Sequence, residues 1–438
     1  MRSHLLLVTL MGLIPVSWIH PFAGVLVWSW LSFMSPHQLT WGLATDLRLN
    51  LIVSLATLLG FMFSREPKSI PSNTSIVLLF LFAILWVLST IPAMAPYLAQ
   101  DLLVRNLKTF VLLYMIMALV HNRLRLHAFM LVIVISVGYF AVYGGLVGIL
   151  SGGNSRFTGP PGTHIGDNNH LALAIVIVIP LMNYIRMYSE NKFVRLALLA
   201  SMGLGVITVL VTYSRGGFLG LAAMGAVFWW KSKHKLASAV IIAVLAVPAF
   251  HLMPQKWWDR MDTIETAAEH DSSFQSRLAS WETSFNLAVA NPILGGGFSA
   301  TQDPSVYAKY KPADDPSVLR AAHSIYFQVL GDMGFVGLAV FLMIFFSGWL
   351  NSVAVIRGGN KIPGMEWAVD LSKMIQVSMA GYLVAGAALS MAYYDVTLAL
   401  IVVLARLRTI VANEQNRVTT PETLPMMSGQ YVFSKRNI

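Results

Sequence analysis

The chain has 438 residues, 56% of them hydrophobic and only 11% charged, with a mean hydropathy of +0.66. Soluble domains carry roughly 25% charged residues, so this composition excludes a soluble globular protein and indicates an integral membrane one. The formal net charge of +10 sits mostly in short loops between apolar runs, where it reports membrane topology and not nucleic-acid binding. Cysteine is absent, which excludes disulfides and thiolate metal or redox sites. There is no Walker loop, dinucleotide fingerprint or His-Glu-x-x-His, so ATP-driven and zinc-protease functions lack support.

In chain order, residues 4–35 begin behind Arg2 and are interrupted by His20-Pro21. They show no convincing small-residue cleavage site and read as an anchor, not a removed signal. One broken or kinked crossing is the preferred reading, and two short spans with an external N-terminus are the alternative. Further apolar runs near the length needed to cross about 30 Å of hydrocarbon fall at 47–63, 73–93, 104–121, 128–150, 169–187, 194–213, 216–230, 236–253, 324–350, 369–390 and 392–410. With the broken crossing this predicts twelve spans and both termini inside. Basic residues cluster at Arg65/Lys68, Arg123/Arg125, Arg186/Lys192/Arg195, Lys231/Lys233/Lys235 and Arg357/Lys361. These fall on every second loop, which marks those loops as cytoplasmic. The tail, with Arg406, Arg408, Arg417, Lys435 and Arg436, joins them.

The alternate loops lie outside, and 254–323 is the largest of them. It opens with Met-Pro-Gln-Lys-Trp-Trp at 253–258, aromatics suited to a membrane interface. Leu278, Trp281, Phe285 and Leu287 or Ala288 give helical spacing over 272–290, predicting an amphipathic helix. Asn291-Pro292 stops it and Gly295, Gly296 and Gly297 turn the chain. Roughly 70 residues cannot bury a large core of their own, so the loop is expected to lie over a cavity as a lid.

On this topology several polar groups gather on the outer face. Arg215, in Val-Thr-Tyr-Ser-Arg-Gly-Gly at 211–217, stands between two apolar runs. A cation near membrane depth costs a few kcal/mol, about 2.5–3.5 on insertion scales, and is kept where it meets an anion. Arg277 lies on the loop helix and His323 closes the loop; Arg105 and Lys108 stand at the outer start of span 104–121. Arginine forks bind phosphate oxygens in pairs, and histidine is the side chain best suited to take a proton near neutral pH. The set suits a diphosphate leaving group and a hydroxyl nucleophile. His164 and His170 flank Gly166-Asp167-Asn168-Asn169. A turn capping a helix through Asp167 or Asn168 is preferred there over a metal site. Asp314-Asp315, between prolines, reads as a solvated turn before a carboxylate pair.

These motifs stand in a recognisable order: Thr-Tyr-Ser-Arg-Gly-Gly ending a span, a large outer loop with an internal Arg and Asn-Pro-x-x-Gly-x-Gly at 291–297, then His-Ser-x-Tyr-x-Gln-x-x-Gly-Asp-x-Gly at 323–334. The arrangement resembles the O-antigen ligase superfamily of bacterial envelope proteins, most strongly over 160–345, with Asp332 a small departure in the last motif. The N-terminal third, with Trp-Ser-Trp-Leu-Ser-Phe-Met-Ser-Pro-His at 28–37, is similar to a subgroup described as O-glycosylation ligases. The resemblance implies an all-α integral membrane protein of the glycosyltransferase C type, with about twelve transmembrane helices and one large periplasmic loop. It implies an N-terminal bundle (1–253), a periplasmic lid with amphipathic helices (254–323), C-terminal membrane helices (324–410) and a flexible cytoplasmic tail (411–438). It further implies a bacterial inner-membrane enzyme with a periplasmic active site that uses no metal or other cofactor. The donor would be an undecaprenyl-diphosphate-linked glycan and the acceptor lipid A–core, among membrane lipids and without nucleic acid. By motif position, Arg215 and Arg277 would bind the diphosphate and His323 would act near the acceptor hydroxyl, these three forming the catalytic set; Arg105 and Lys108, from their place on the outer face, and Tyr213, beside Arg215, are expected to add to the diphosphate and lipid site. Protein O-oligosaccharyltransferases and O-antigen polymerases share the donor, and a lipid-linked glycan transporter is the reading outside the enzyme class.

Overall fold

The computed structural model describes residues 2–232, 234–251, 253–262, 272–313 and 321–419, and among these it contains helices and no strand. In chain order the longer helices are α1 (Arg2–Ile19), α2 (Pro21–Met34), α3 (Leu49–Phe63), α4 (Thr74–Thr90), α5 (Pro96–Leu119), α6 (Arg123–Leu150), α7 (Asn168–Met187), α8 (Lys192–Val211), α9 (Arg215–Lys231) and α10 (Lys235–His251). Then follow α11 (Gln255–Asp262), α12 (Ser272–Ala290), α13 (Pro304–Tyr310), α14 (Ile325–Gly359), α15 (Glu366–Gly386) and α16 (Asp395–Thr419). Six of them (α1, α5, α6, α7, α8 and α14) are long and apolar enough to cross a membrane; α2, α3, α4 and the first part of α10 are shorter apolar helices. The chain is a multi-pass membrane protein by this measure.

Helix α7 is the centre of the bundle. It is apolar on every face, and every residue from Leu171 to Tyr184 is buried, as expected of a helix surrounded by others. Around it α6, α8, α9 and α15 pack closely enough that glycine is required at several crossings. A Cβ at Gly220 of α9 would lie 2.6 Å from Ala385 Cβ of α15, and one at Gly145 of α6 would lie 2.5 Å from the Leu204 carbonyl of α8. Small residues of this kind let helix backbones approach where hydrophobic driving force is absent.

The connections alternate between two ends. At one end Arg125 pairs with Glu66 at 2.9 Å, Asn73 and Asn351 exchange hydrogen bonds, and Arg406 donates to Ser69 and to the Met117 carbonyl. The basic loop residues collect here. At the other end Met94 N–H donates to the Gly296 carbonyl, Phe157 N–H to the Val211 carbonyl and Tyr213 O–H to the Gly153 carbonyl. This second end carries Arg215 and is the Arg215 end of the bundle.

Three expectations are corrected and one, the third, is refined. Residues 4–35 are not one broken crossing: Ala44 N–H donates to Ser3 Oγ at 3.3 Å, so the end of α2 returns beside the start of α1. His20 N–H still bonds to the Val16 carbonyl, and Pro21 starts α2 as an N1 proline, so the interruption is a hairpin turn. Second, α5 begins at Pro96, not 104, which puts Arg105 and Lys108 two to three turns inside the helix, both exposed. Third, α12 forms where expected, but Leu278 and Phe285 are 43% and 46% exposed while Ser276, Ser280, Thr283, Ser284, Leu287 and Ala288 are buried. The buried stripe is the small-residue one, and it packs on α14, where Gly331 meets Ser284. Fourth, of the two interfacial tryptophans Trp257 is buried inside the protein and donates to the Leu210 carbonyl at 3.1 Å. Asp314, Asp315 and the chain from 420 onward, including Lys435 and Arg436, lie outside the described residues, as does Lys233.

Candidate active site at the Arg215 end

Arg215 is the first residue of α9. Ser214 caps the helix by accepting from Gly217 N–H at 3.0 Å, and Tyr213 before it is held at φ +56°. His323 is built the same way: φ is +46°, Ser324 occupies the N-cap position, and α14 begins at Ile325. Non-glycine residues in the left-handed region are costly and gather at functional sites. The described residues contain four, and two of them are Tyr213 and His323.

The end of α15 joins the two turns. A Cβ on Gly216 would meet Ala388 Cβ at 3.3 Å and Leu389 Cγ at 3.4 Å, so Arg215 emerges beside the chain that leaves α15. The same stretch also meets the start of α14: Gly386 touches the Ile325 side chain, and Tyr326 O–H donates to the Leu383 carbonyl at 2.9 Å. Arg215 and His323 therefore adjoin one structural post. Arg277 is brought to the same region by α12. One turn on from it, Trp281 donates to the Ala322 carbonyl at 2.7 Å and stacks on Phe327 at 5.2 Å with rings nearly parallel. Residues 277 and 281 share a helix flank, so Arg277 stands on the flank that meets the His323 corner. Both Arg277 and His323 are half-buried.

The glycine turn after α12 is locked onto α14. Gly296 N–H and Gly297 N–H donate to the carbonyls of Gly331 and Asp332 at 2.9 and 3.1 Å, and Phe335 N–H donates back to the Pro292 carbonyl. Helix α14 opens to receive it: Met333 and Gly334 are non-helical, and Gly334 has φ +64°. A Cβ there would lie 2.5 Å from the Pro292 oxygen, so only glycine fits. The Asp332 carboxylate, buried beneath, accepts from Ser299 N–H at 2.8 Å and Tyr393 O–H at 2.7 Å. The motif at 323–334 thus carries His323 at one end and the anchor of its scaffold at the other.

The loop before α7 closes the site from the opposite side. Asp167 caps α7 by accepting from Asn169 N–H at 2.8 Å. The neighbouring Asn168 acts on another segment. Its amide donates to the Thr212 carbonyl at 2.7 Å and accepts from Arg156 at 2.8 Å, which pins the turn that presents Arg215. His170 donates to the Ser390 carbonyl, and His164 stands near both His170 and Arg105. Burial pushes the His164 imidazole down to about 4, with the Arg105 and His170 charges adding to the effect. Among the described residues no group of three His, Asp or Glu side chains gathers as a metal site. Of the sequence-derived set, Arg215, Tyr213, Arg277 and His323 share this end, exposed Arg105 lies within electrostatic reach of His164, and exposed Lys108 lies one turn further along α5. Arg156 was missed, and Asn168 was read only as a possible helix cap where it instead bonds the Thr212 carbonyl and Arg156; the polar run Gly166-Asp167-Asn168-Asn169 was the available signal.

Residues 200–342 match the family described as O-Antigen ligase. This match, over about a third of the chain, supports the O-antigen ligase superfamily. The matched segment runs from α8 through the Arg215 turn, the α12 scaffold and the His323 corner, so it contains the whole motif series. The match supports a general enzyme role of the ligase or polymerase type. Residues 1–190 match a family of unknown function (DUF5935), and no curated protein matches the chain.

Proposed function

We propose that this protein is a membrane glycosyltransferase that moves a glycan from undecaprenyl diphosphate to a sugar hydroxyl of lipid A–core. The observation that carries the reading is the pair of strained turns, Tyr213-Ser214-Arg215 and His323-Ser324, both beside the α15 terminus and within an O-antigen ligase segment. The Arg215 end faces the periplasm of the inner membrane, because the basic loops gather at the other end. Helices α1 to α10 and α14 to α16 then span the bilayer, thirteen among the described residues. The hairpin at His20 adds one crossing to the twelve expected and puts the N-terminus on the periplasmic side. Segment 254–323 is a periplasmic lid, between bundles 1–253 and 324–410, and the chain after 411 is a cytoplasmic tail.

In this reading Arg215 and Arg277 hold the diphosphate, with Arg105, Lys108 and Tyr213 along the lipid entry. The acceptor oxygen attacks the anomeric carbon from the face opposite the leaving oxygen, so configuration inverts. The glycosidic C–O bond breaks, undecaprenyl diphosphate departs with the electron pair, and the two guanidiniums offset the charge that grows on it. The acceptor proton passes to His323. The lid excludes water, which would compete as acceptor. Nothing in this sequence of steps calls on a metal or cofactor.

The test is reconstitution of the purified protein with a polyprenyl-diphosphate-linked glycan, in EDTA, with lipid A–core and a periplasmic protein offered together. Transfer to lipid A–core that is lost in His323→Ala supports the ligase. Transfer to protein alone moves the assignment to an O-oligosaccharyltransferase, and growth of the lipid-linked glycan itself to a polymerase. Glycan movement across the bilayer without transfer would make it a transporter.

A further inference from the structure

A second feature has its polar mouth at the end of the bundle opposite Arg215, and the groups at that mouth are not used by the transfer reaction. A cavity of about 970 Å³ runs between α7, α8, α9, α10 and the start of α15, from Lys231 to Phe218 one turn from Arg215. Its wall is apolar along most of its length, with Met202, Val206, Leu221 and Met224 among the lining residues. Ala222 and Ala226 line it and are also exposed, so it opens to the surrounding lipid. From Phe218 to Lys231 the lining residues of α9 cover roughly 20 Å at 1.5 Å per residue, more than the ~15 Å depth of one leaflet's hydrocarbon.

The polar lining is concentrated at one end. Arg186, Lys231 and Lys373 stand there with one carboxylate, Asp370. Asp370 is already engaged, by Lys373 at 3.6 Å and by Tyr188 O–H at 3.0 Å. Arg186 donates to its own helix neighbour Asn183, and Lys231 lies over the rings of Trp230 and Trp349 at 5.6 and 5.5 Å. Among the described residues neither has a carboxylate partner, and Arg195 and His234 add no negative charge nearby. Lys231 and Lys373 are close enough to repel each other. Asn183 directs its amide N–H groups at two thioether sulfurs, Met187 and Met374, at 3.6 and 3.5 Å, which are weak acceptors.

Three half-buried cations around one occupied carboxylate, at the mouth of an apolar slot one leaflet deep, are complementary to a phosphate that carries acyl chains. We infer that this cavity binds an anionic glycerophospholipid of the leaflet opposite Arg215. Its phosphodiester sits among Arg186, Lys231 and Lys373 and one acyl chain lies along α9. Arg186 presents the fork that takes two phosphate oxygens, and basic pockets between membrane helices hold anionic headgroups in this way. The cation cluster lies at the other end of α9 from Arg215, so the inference does not rest on the transferase reading.

The experiment uses the full chain, delipidated in neutral detergent, with native mass spectrometry and thermal stability as readouts. Phosphatidylglycerol, phosphatidylcholine and undecaprenyl monophosphate are added separately and in competition. One phosphatidylglycerol should be retained and should raise the melting temperature by mass action, while phosphatidylcholine does neither. Each cation removed should weaken retention about fivefold, so the pair Arg186→Gln and Lys231→Gln together should cost about 25-fold. If that double variant fails to fold, Gly225→Leu keeps the test open: Gly225 lines the cavity, a Cβ there meets nothing within 4 Å, and the larger side chain should exclude the lipid from a folded protein. Equal retention of phosphatidylcholine, selectivity that survives the charge variants, or one-for-one displacement by undecaprenyl monophosphate would each overturn the inference.

Discussion

Tyr213 and His323 carry the same local device at two distant points in the chain. Each is a non-glycine residue in the left-handed region, at φ +56° and +46°, followed by a serine at the N-cap of a long helix. The left-handed turn redirects the chain sharply, so the residue beside each cap projects from the helix end and not along its side. For His323 the side chain at the strained position is itself the proposed proton acceptor. Replacing it with alanine keeps the strained backbone and removes the imidazole; replacing it with glycine removes both. Both variants should lose transfer by about 10²–10⁴-fold, and His323→Gly should be the more heat-stable by about 1 kcal/mol. Turnover of purified protein with a lipid-linked donor, beside a thermal melt, reads both. Activity within tenfold of the parent in either variant removes His323 from the reaction.

A cap, a buried asparagine and a helix packed at glycine distance fix the backbone from which the Arg215 side chain projects. Lysine would keep the charge and lose the two-pronged contact. One charged hydrogen bond is worth about 1.5–3 kcal/mol, so Arg215→Lys should lower kcat/KM by about 10- to 150-fold with an unchanged melting temperature. Asn168→Ala should give a similar loss by a different route, freeing the Thr212 carbonyl that fixes the turn, and it should also lower the melting temperature. A lysine variant with parental kcat/KM would show that charge alone suffices.

The membrane character, the alternation of loops and the order of the site motifs were legible because they rest on uniform apolar runs and on charges that loops concentrate. The errors came from packing. His20-Pro21 is compatible with a kink or a hairpin, and only the meeting of Ser3 with Ala44 decides between them. Helix α5 begins at Pro96 because proline is a good first residue, yet the polar stretch before 104 looked like loop. In α12 the apolar residues at helical spacing divide: Leu287 and Ala288 are buried, whereas Leu278 and Phe285 stay exposed because the surface that meets Gly331 is filled by small side chains such as Ser284. The role of Asp332 was invisible because its partners, Ser299 and Tyr393, are far away in sequence.

The Asp332 carboxylate is the hidden support of the glycine turn. Tyr393 lies among Phe82, Trp86 and Phe298, so Tyr393→Phe keeps the packing and deletes one donor. The cost should be about 1–3 kcal/mol, that of leaving a buried acceptor unpaired. Asp332→Ala, which also abandons Ser299 N–H, should cost more, and the double variant should fall short of the sum. Additive losses in a thermal or denaturant series would mean that the two side chains are not energetically coupled.

The His164 imidazole links stability to pH. Its folded value is about 4 against an ordinary 6.5, from burial first and then from Arg105 and His170. A folded value below the unfolded one means that the unfolded chain binds the proton first as pH falls. The stabilisation is therefore complete above about 6.5 and is lost progressively between there and about 4, to a limit of about 3 kcal/mol. His164→Gln preserves a polar side chain without that titration. From pH 7 to pH 4 its melting temperature should fall less than that of the parent, the other titrating groups being common to both. Parallel curves for the two proteins would mean that His164 takes up its proton as readily folded as unfolded, and that the loop before α7 admits water to the ring.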